Sequence, residues 1–448
     1  MTDLHSIILA GLMSLALTGC AHYASDPLPS SLEAAGLDNA DFVQAYPAGE
    51  NMESRRFAID LSAPLGAQAV ASLAVMANPD LKALRARAGV NDAQVYAAGL
   101  MPDPTISMGI DHLLSGSDPV DALAGALGMD ILALRARSAV RQKAEAERRQ
   151  VRTDLLWAEW QTAGQARLQA VRITALEERR ALAVQSRQSA DALLARYAAA
   201  AGRGDMAADP LQTARIAASD ATDAAQQAEK DLATARLELN RVLGLPPKTM
   251  LVIAPLASAD ALPDADHLFA IARLQRADLR ALREGYAAQE AALRKAVLDQ
   301  FPTLDLTINA GRDTARNVTL GPAIGFTLPL WNRNRGGIAV EKATRDALKV
   351  EYEARLFQTR ADIAAAVSAL TIARTRYAAQ QSVLSGALRL AAASRRAASH
   401  GDLADAVAQV AEQVARDRQM QSAQAAQDIA EQMIALELLT GLPREQWM

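Results

Sequence analysis

The feature that most limits what this chain can fold into is an internal duplication. Pro79-Asp80-Leu81-Lys82-Ala83-Leu84-Arg85 recurs as Ala277-Asp278-Leu279-Arg280-Ala281-Leu282-Arg283, and Pro104-Thr105-Ile106 recurs as Pro302-Thr303-Leu304, both displaced by 198 positions (80 to 278, 104 to 302). Arg137 and Arg335 keep that displacement, while Gly204-Asp205 recurs at Gly401-Asp402 and Gly244-Leu245-Pro246 at Gly441-Leu442-Pro443, displaced by 197 (204 to 401, 244 to 441). A net drift of one residue marks two copies of one supersecondary design, so each half must form the same unit and pack against its twin.

Within a half the order is helices, two strands, then a very long helix. The stretch from Phe301 to Arg335 is predicted as a hairpin: Leu304, Leu306 and Ile308 share one face of a pleat, and Thr303, Asp305, Thr307 and Asn309 share the other. The return run places Val318, Leu320, Ile324, Phe326, Leu328 and Leu330 on one parity, with Thr319, Gly321, Gly325 and Thr327 on the other. In the first half Ile106, Met108 and Ile110 alternate with Ser107, Gly109 and Asp111, and a second strand is expected from Leu123 to Leu134. Its alternation is less clean, which predicts a bulge or register shift. Proline-free stretches from Arg137 to Ala200 and from Gly337 to Ala398 are predicted as helices on the order of 95 Å long. The later one carries a heptad seam of Leu356, Ile363, Leu370, Tyr377 and Leu384, the pattern of coiled-coil packing. Each long helix ends at a Gly-Asp turn, with Gly at the C-cap and Asp as the next N-cap, and a shorter helix returns to Gly244 or Gly441. The return helix and the helix before each hairpin together match the long helix in length, so each half is expected to supply one continuous and one spliced column.

Half of the chain is hydrophobic but only 4% is aromatic, so Ala and Leu dominate and favour closely packed helices. A net charge of −4 leaves no basic surface for nucleic acid; the arginine clusters at Arg148, Arg149 and Arg152 and at Arg179 and Arg180 sit among glutamates on solvated helix faces. No P-loop, HExxH motif, thiol cluster or metal-ligand spacing is present, so no catalytic site, metal or cofactor is expected, and the chain is not read as an enzyme. The only cysteine, Cys20, closes the tetrapeptide Leu17-Thr18-Gly19-Cys20 after an apolar run from Ile7 to Leu17. This resembles a bacterial lipobox: residues 1–19 form a signal peptide, Cys20 is lipidated, and 20–64 form an extended linker. The competing reading is a free, buried cysteine, and the leader Met1 to Ser6 departs from the pattern in lacking Lys and Arg. Ala21, rather than Asp, after the cysteine points to the outer membrane.

Four strands cannot close a barrel, and an open sheet edge is not tolerated in lipid, so membrane-embedded hairpins require several chains to share one barrel. The arrangement resembles the TolC-like outer-membrane efflux proteins over about Leu65 to Leu442. The motifs that carry the likeness are Asn78-Pro79-Asp80-Leu81 at a helix start, Pro102-Asp103-Pro104 before a strand, Leu328-Pro329-Leu330-Trp331 after the last strand, and the paired Gly-Asp turns. The resemblance implies a mainly α fold with a small membrane β part: an internally duplicated chain in two repeats, 65–249 and 264–448, joined by a connector at 250–263. It further implies a homotrimer whose pooled strands form an outer-membrane barrel, embedded in lipid and lipid-anchored. A periplasmic adaptor and an inner-membrane pump would feed this passive conduit.

On that likeness Gly204, Asp205, Gly401 and Asp402 are tips that the adaptor grips, and Asp405 is a candidate tunnel-entrance acid. Asp111, Asp130 and Asp305 face the lumen, and Trp331 belongs to a membrane-interface girdle. The alternative is a lipid-anchored periplasmic coiled-coil adaptor or scaffold, which explains the helices and the anchor but not the alternating strands.

Overall fold

The computed structural model describes residues 23–28, 30, 63–112, 114–115, 120–254, 263–302 and 304–447. Cys20, the signal segment 1–19 and most of the linker and connector lie outside the described residues. Of the unit Met1–Asp41 only 23–28 and 30 are described, without regular structure. All elements lie in the unit Phe42–Met448.

The two halves have matching parts. The first comprises α1 (Ala67–Ala77), α2 (Pro79–Gly99), β1 (Thr105–Asp111), β2 (Ala122–Asp130), α3 (Ile131–Gly202) and α4 (Ala208–Leu243). The second comprises α5 (Ala265–Gln275), α6 (Ala277–Leu298), β3 (Leu304–Arg312), β4 (Val318–Phe326), α7 (Arg335–Ser399) and α8 (Asp405–Thr440), closed by a single 3₁₀ turn, Arg444–Gln446. At 72 and 65 residues, α3 and α7 extend about 108 and about 98 Å.

Each half has its own core at equivalent positions. In the first, Val70 and Leu73 of α1 pack with Ala166, Ala170 and Ile173 of α3 and Leu239 and Leu243 of α4. In the second, Leu268 and Ala272 of α5 pack with Ile363 and Leu370 of α7 and Met433 and Leu436 of α8, covered by Trp447. The seam residues Ile363 and Leu370 are fully buried, whereas Leu356, Tyr377 and Leu384 are half-buried, so the heptad is anchored at its middle. Each buried leucine in such a core contributes about 1.5–3 kcal/mol.

The spliced columns exist, and their joints have a defined chemistry. The return helix α4 ends at Gly244 in the left-handed region (φ +65°), directly against the start of α2. Asn78, between α1 and α2, accepts from Leu81 N through Oδ1 at 3.0 Å and donates from Nδ2 to Val242 O, at the end of α4, at 2.9 Å. One amide side chain thus caps the start of one helix and serves a carbonyl that has no intrahelical partner at the end of another. In the second half α8 ends at Gly441 (φ +75°), and Arg276 takes the place of Asn78, donating from Nη1 to Leu439 O at 3.3 Å.

The strands form one antiparallel sheet in the order β1-β2-β3-β4. The expectation of a bulge in the first-half hairpin is not met: β1 and β2 pair one-to-one from Thr105↔Gly128 to Asp111↔Ala122. The strand also ends at Asp130 rather than Leu134, because Asp130 accepts from Ala133 N at 3.0 Å and opens α3. The alternation in β2 is weak because Ala122, Ala124 and Ala126 count as apolar yet occupy the face shared with Ser107, Gly109 and Asp111. Likewise β4 stops at Phe326, so Leu328 and Leu330 lie beyond the strand.

Candidate channel wall and helical tips

The register settles which side chains share a face. Asp111 is opposite Ala122, Asp130 opposite Asp305, and Asp305 opposite Gly325. Because strand residues two apart share a face, all three aspartates lie on one side. Their companions are Thr105, Ser107 and Gly109 on β1, Ala124, Ala126 and Gly128 on β2, Thr307, Asn309 and Gly311 on β3, and Thr319, Gly321 and Ala323 on β4. The opposite side carries Ile106, Met108, Ile110, Leu123, Leu127, Met129, Leu304, Leu306, Ile308, Val318, Leu320, Ile324 and Phe326, with the small or cyclic Gly125, Ala310 and Pro322 between them and one charge, Arg312, at the hairpin-loop end of β3. That apolar side is bare in the single chain: Ile106 is 74% exposed, Met108 87% and Leu320 77%. A contiguous apolar face of this size marks an interaction with lipid or protein. Strands β1 and β4 are the sheet's edges, each with a row of backbone groups unpaired within it.

The three aspartates differ in setting. Asp130 is committed to the α3 cap, while Asp305 stands across from it in the neighbouring strand. Asp111 is at the opposite, hairpin-loop end of β1. Trp331 is 87% exposed in the turn between β4 and α7.

At the far ends of the long helices, both Gly-Asp turns take one form. Gly204 N donates to Ala201 O at 3.0 Å and Asp205 N to Ala200 O at 2.9 Å; Gly401 N donates to Ala398 O at 3.1 Å and Asp402 N to Ala397 O at 2.9 Å. This is the Schellman pattern, which needs a left-handed residue after the C-cap, and φ is +77° at Gly204 and +82° at Gly401. The expected role of the aspartates as N-caps is corrected: Ala207 and Ala404 occupy those positions without a side-chain cap. The Schellman bonds hold Asp205 and Asp402 too far before the next helix, and Asp205 instead accepts from Arg203 Nε at 2.9 Å.

Asp405, in the first turn of α8, does not stand as a solitary acid. It pairs with Arg196 of α3 and accepts from Arg395 Nη1 of α7 at 3.1 Å, joining the two halves. Arg395 also forms a two-pronged pair with Glu412 at 2.5 and 2.7 Å, which raises the arginine's pKa. Arg196, Arg395 and Glu412 were not anticipated, since partners from three helices carry no local sequence signal. Among the described residues no helix is long and apolar enough to cross a membrane, and no group of three or more His, Cys, Asp or Glu side chains is placed to hold a metal.

Residues 268–442 match the family model for outer membrane efflux proteins. The fold matches the CmeC outer membrane channel of Campylobacter jejuni, 16% identical, over 84% of this chain and 85% of that one, with a TM-score of 0.70. The fold is that of the TolC-like outer-membrane channels, and the second half of the chain is similar in sequence to the outer membrane efflux proteins. The same fold appears in the outer membrane protein VceC of Vibrio cholerae, 14% identical, over 84% of this chain and 96% of VceC, with a TM-score of 0.67. It appears again in the open state of the MtrE outer membrane channel of Neisseria gonorrhoeae, 17% identical, over 84% and 90% of the two chains, with a TM-score of 0.62. At these identities the likeness is one of fold. No curated protein sequence matches the chain. In this TolC-like chain the family match falls on the second half, and the duplication relates the first half to it.

Proposed function

We propose that this TolC-like protein is the outer-membrane channel of a tripartite efflux system, a passive conduit that receives cargo from an inner-membrane pump through a periplasmic adaptor. The observation that carries this is the four-stranded sheet with two free edges and one face that is apolar except for Arg312 at the hairpin-loop end of β3. Such a sheet is unsustainable alone in lipid but complete when several copies close a barrel. Three copies would supply twelve strands, with Asp111, Asp130 and Asp305 inside and Ile106, Leu304 and Leu320 toward lipid. Trp331 then sits at the membrane interface, where aromatic side chains are enriched. The Gly204-Asp205 and Gly401-Asp402 turns are the adaptor's docking tips, and Asp405 lies at the tunnel entrance with its charge balanced by Arg196 and Arg395. Cys20 carries the lipid that tethers the chain to the outer membrane.

Fractionation tests this directly: the protein should require detergent for release from outer-membrane fractions and should have the mass of a homotrimer in scattering measurements. Recovery as a soluble periplasmic monomer would overturn the proposal. For the anchor, Cys20→Ala should abolish labelling by a radioactive fatty acid, and undiminished labelling would exclude it. At the tips, Gly401→Val with Asp402→Ala should lower efflux at unchanged trimer abundance; normal efflux would remove them from the docking site.

A further inference from the structure

Between α3, α4 and α8, on the side of the molecule toward the tips, lies a cavity of about 550 Å³. That is inside the roughly 300–1,000 Å³ range of small-molecule sites. Each helix contributes a stripe at helical spacing, and most of the wall is apolar: Ala183 and Leu193 from α3, Ala221 from α4, Val410 and Met420 from α8. The polar part of the lining is poorly satisfied. Gln409 is 9% exposed, and its Oε1 is withdrawn from solvent without a hydrogen-bond partner. Ser186 Oγ, on α3, is in the same state. Native proteins leave few such groups, because an unmet buried acceptor costs about 1–3 kcal/mol.

Arg416, two helical turns beyond Gln409 on the same face of α8, is also under-served. Its Nε and Nη2 both go to one neutral acceptor, Gln413 Oε1, at 3.3 and 3.0 Å. The nearest carboxylate, Glu412, is 3.9 Å away and has both oxygens engaged by Arg395. Burial pushes the Arg416 guanidinium below its usual pKa, as expected for a cation lacking a close counter-charge. Two other carboxylates line the cavity: Asp417 accepts from Gln413 Nε2 at 2.9 Å, and Asp220 is exposed to solvent.

We propose that this cavity is a binding site for a small amphiphilic organic acid, with a rigid apolar body held among the alanine walls, a hydroxyl donating to Gln409 Oε1 and a carboxylate facing Arg416. The two polar anchors are seven residues apart on one helix face, a rise of about 10 Å. A hydroxyl and a carboxylate at opposite ends of a fused bicyclic ring span that distance. Rotation about the last side-chain bond of Gln409, a soft torsion, turns its oxygen toward the cavity. The site is built from one chain and does not depend on the adaptor or pump.

The test uses the full-length assembled protein in lipid nanodiscs, titrated with the fluorescent probe 6-hydroxy-2-naphthoate. We expect saturable binding of one probe per chain. Binding should weaken at least tenfold for 2-naphthoate, which lacks the hydroxyl, and for 2-naphthol, which lacks the carboxylate. Gln409→Leu should weaken the hydroxylated probe by a similar factor while leaving 2-naphthoate unaffected, a distinction that loss of folding would not produce. Ala221→Phe, which fills the cavity, should abolish binding by all three. Uptake that merely tracks the amount of lipid, equal binding of the three naphthalenes to the wild-type protein, or unchanged binding in Ala221→Phe would overturn the proposal. So would absence of probe binding together with loss of adaptor capture in Ala221→Phe, because the cavity would then receive a protein side chain.

Discussion

The two splice joints perform one task with different chemistry. At the first, Asn78 bridges the start of α2 and the end of α4 with a neutral amide. At the second, Arg276 reaches the equivalent carbonyl, Leu439 O, with a guanidinium. A buried cation needs an anion, and Asp278 supplies it in a two-pronged pair at 2.9 and 2.7 Å. Asp80, the counterpart of Asp278, is exposed, and the neutral amide of Asn78 carries no charge for it to balance. The arginine also stacks 4.9 Å from the ring centre of Trp157 on α3. Duplication therefore preserves the backbone requirement, a partner for the helix end, while leaving the choice of partner free. The ionic solution has a wider footprint. Asp154 of α3 has its pKa raised, first by burial and then by the charge of Asp278.

The sharpest way to break this equivalence is Arg276→Ala. It strands Asp278 as a buried, weakly compensated charge, with Arg355 Nη1 3.7 Å away, and should cost about 3–5 kcal/mol in unfolding measurements. If the joint needs only a partner rather than a charge, Arg276→Asn combined with Asp278→Ala should recover more than half of that loss. A next largest effect is expected at Gly244→Ala. A Cβ there would lie 2.5 Å from Ala77 O, and the left-handed backbone adds its own penalty, for a combined loss of about 2–4 kcal/mol. Gly441→Ala meets Arg276 Cα at 3.0 Å and should be milder. Equal losses at the two glycines would show that the joints are packed alike despite these distances. Asn78→Ala removes both hydrogen bonds without stranding a charge and should cost about 1–3 kcal/mol, less than Arg276→Ala.

The smallest effect is a gain, at Asp154. A carboxyl whose folded pKa lies above its unfolded value holds its proton more tightly when folded. Its ionisation therefore subtracts stability above the folded pKa and costs nothing below the unfolded one. Asp154→Asn should raise thermal stability at neutral pH by less than about 1 kcal/mol, because the group remains partly open to solvent. The advantage should shrink as pH falls through the raised folded titration toward the ordinary aspartate range. An advantage that persists undiminished in acid would point to packing instead of charge.

Much of the architecture was legible because its signals are local. The glycines at 204, 244, 401 and 441 mark helix ends that need a left-handed residue, and all four have positive φ. Alternation located β1, β3 and β4, and the proline-free stretches located α3 and α7. The strand–helix boundary at Asp130 was harder, since alanine suits either face and either secondary structure. The joints themselves were out of reach: Asn78 meets Val242 across 164 positions and Arg276 meets Leu439 across 163, separations at which sequence pattern carries no contact information. The Asp405 cluster was hidden for the same reason, as its arginines come from different helices.

The side of the sheet that carries the aspartates holds, apart from them, nothing larger than the asparagine at 309. A wall of glycine, alanine, serine and threonine offers passing molecules neither a ring to stack on nor a pocket to lodge in. In the proposed barrel such a lining would be non-stick, and a conduit works best when its contents leave as readily as they arrive. Discrimination among cargoes would then belong to the components upstream of the barrel, and its inner wall should tolerate exchange among small residues with little change in what is exported.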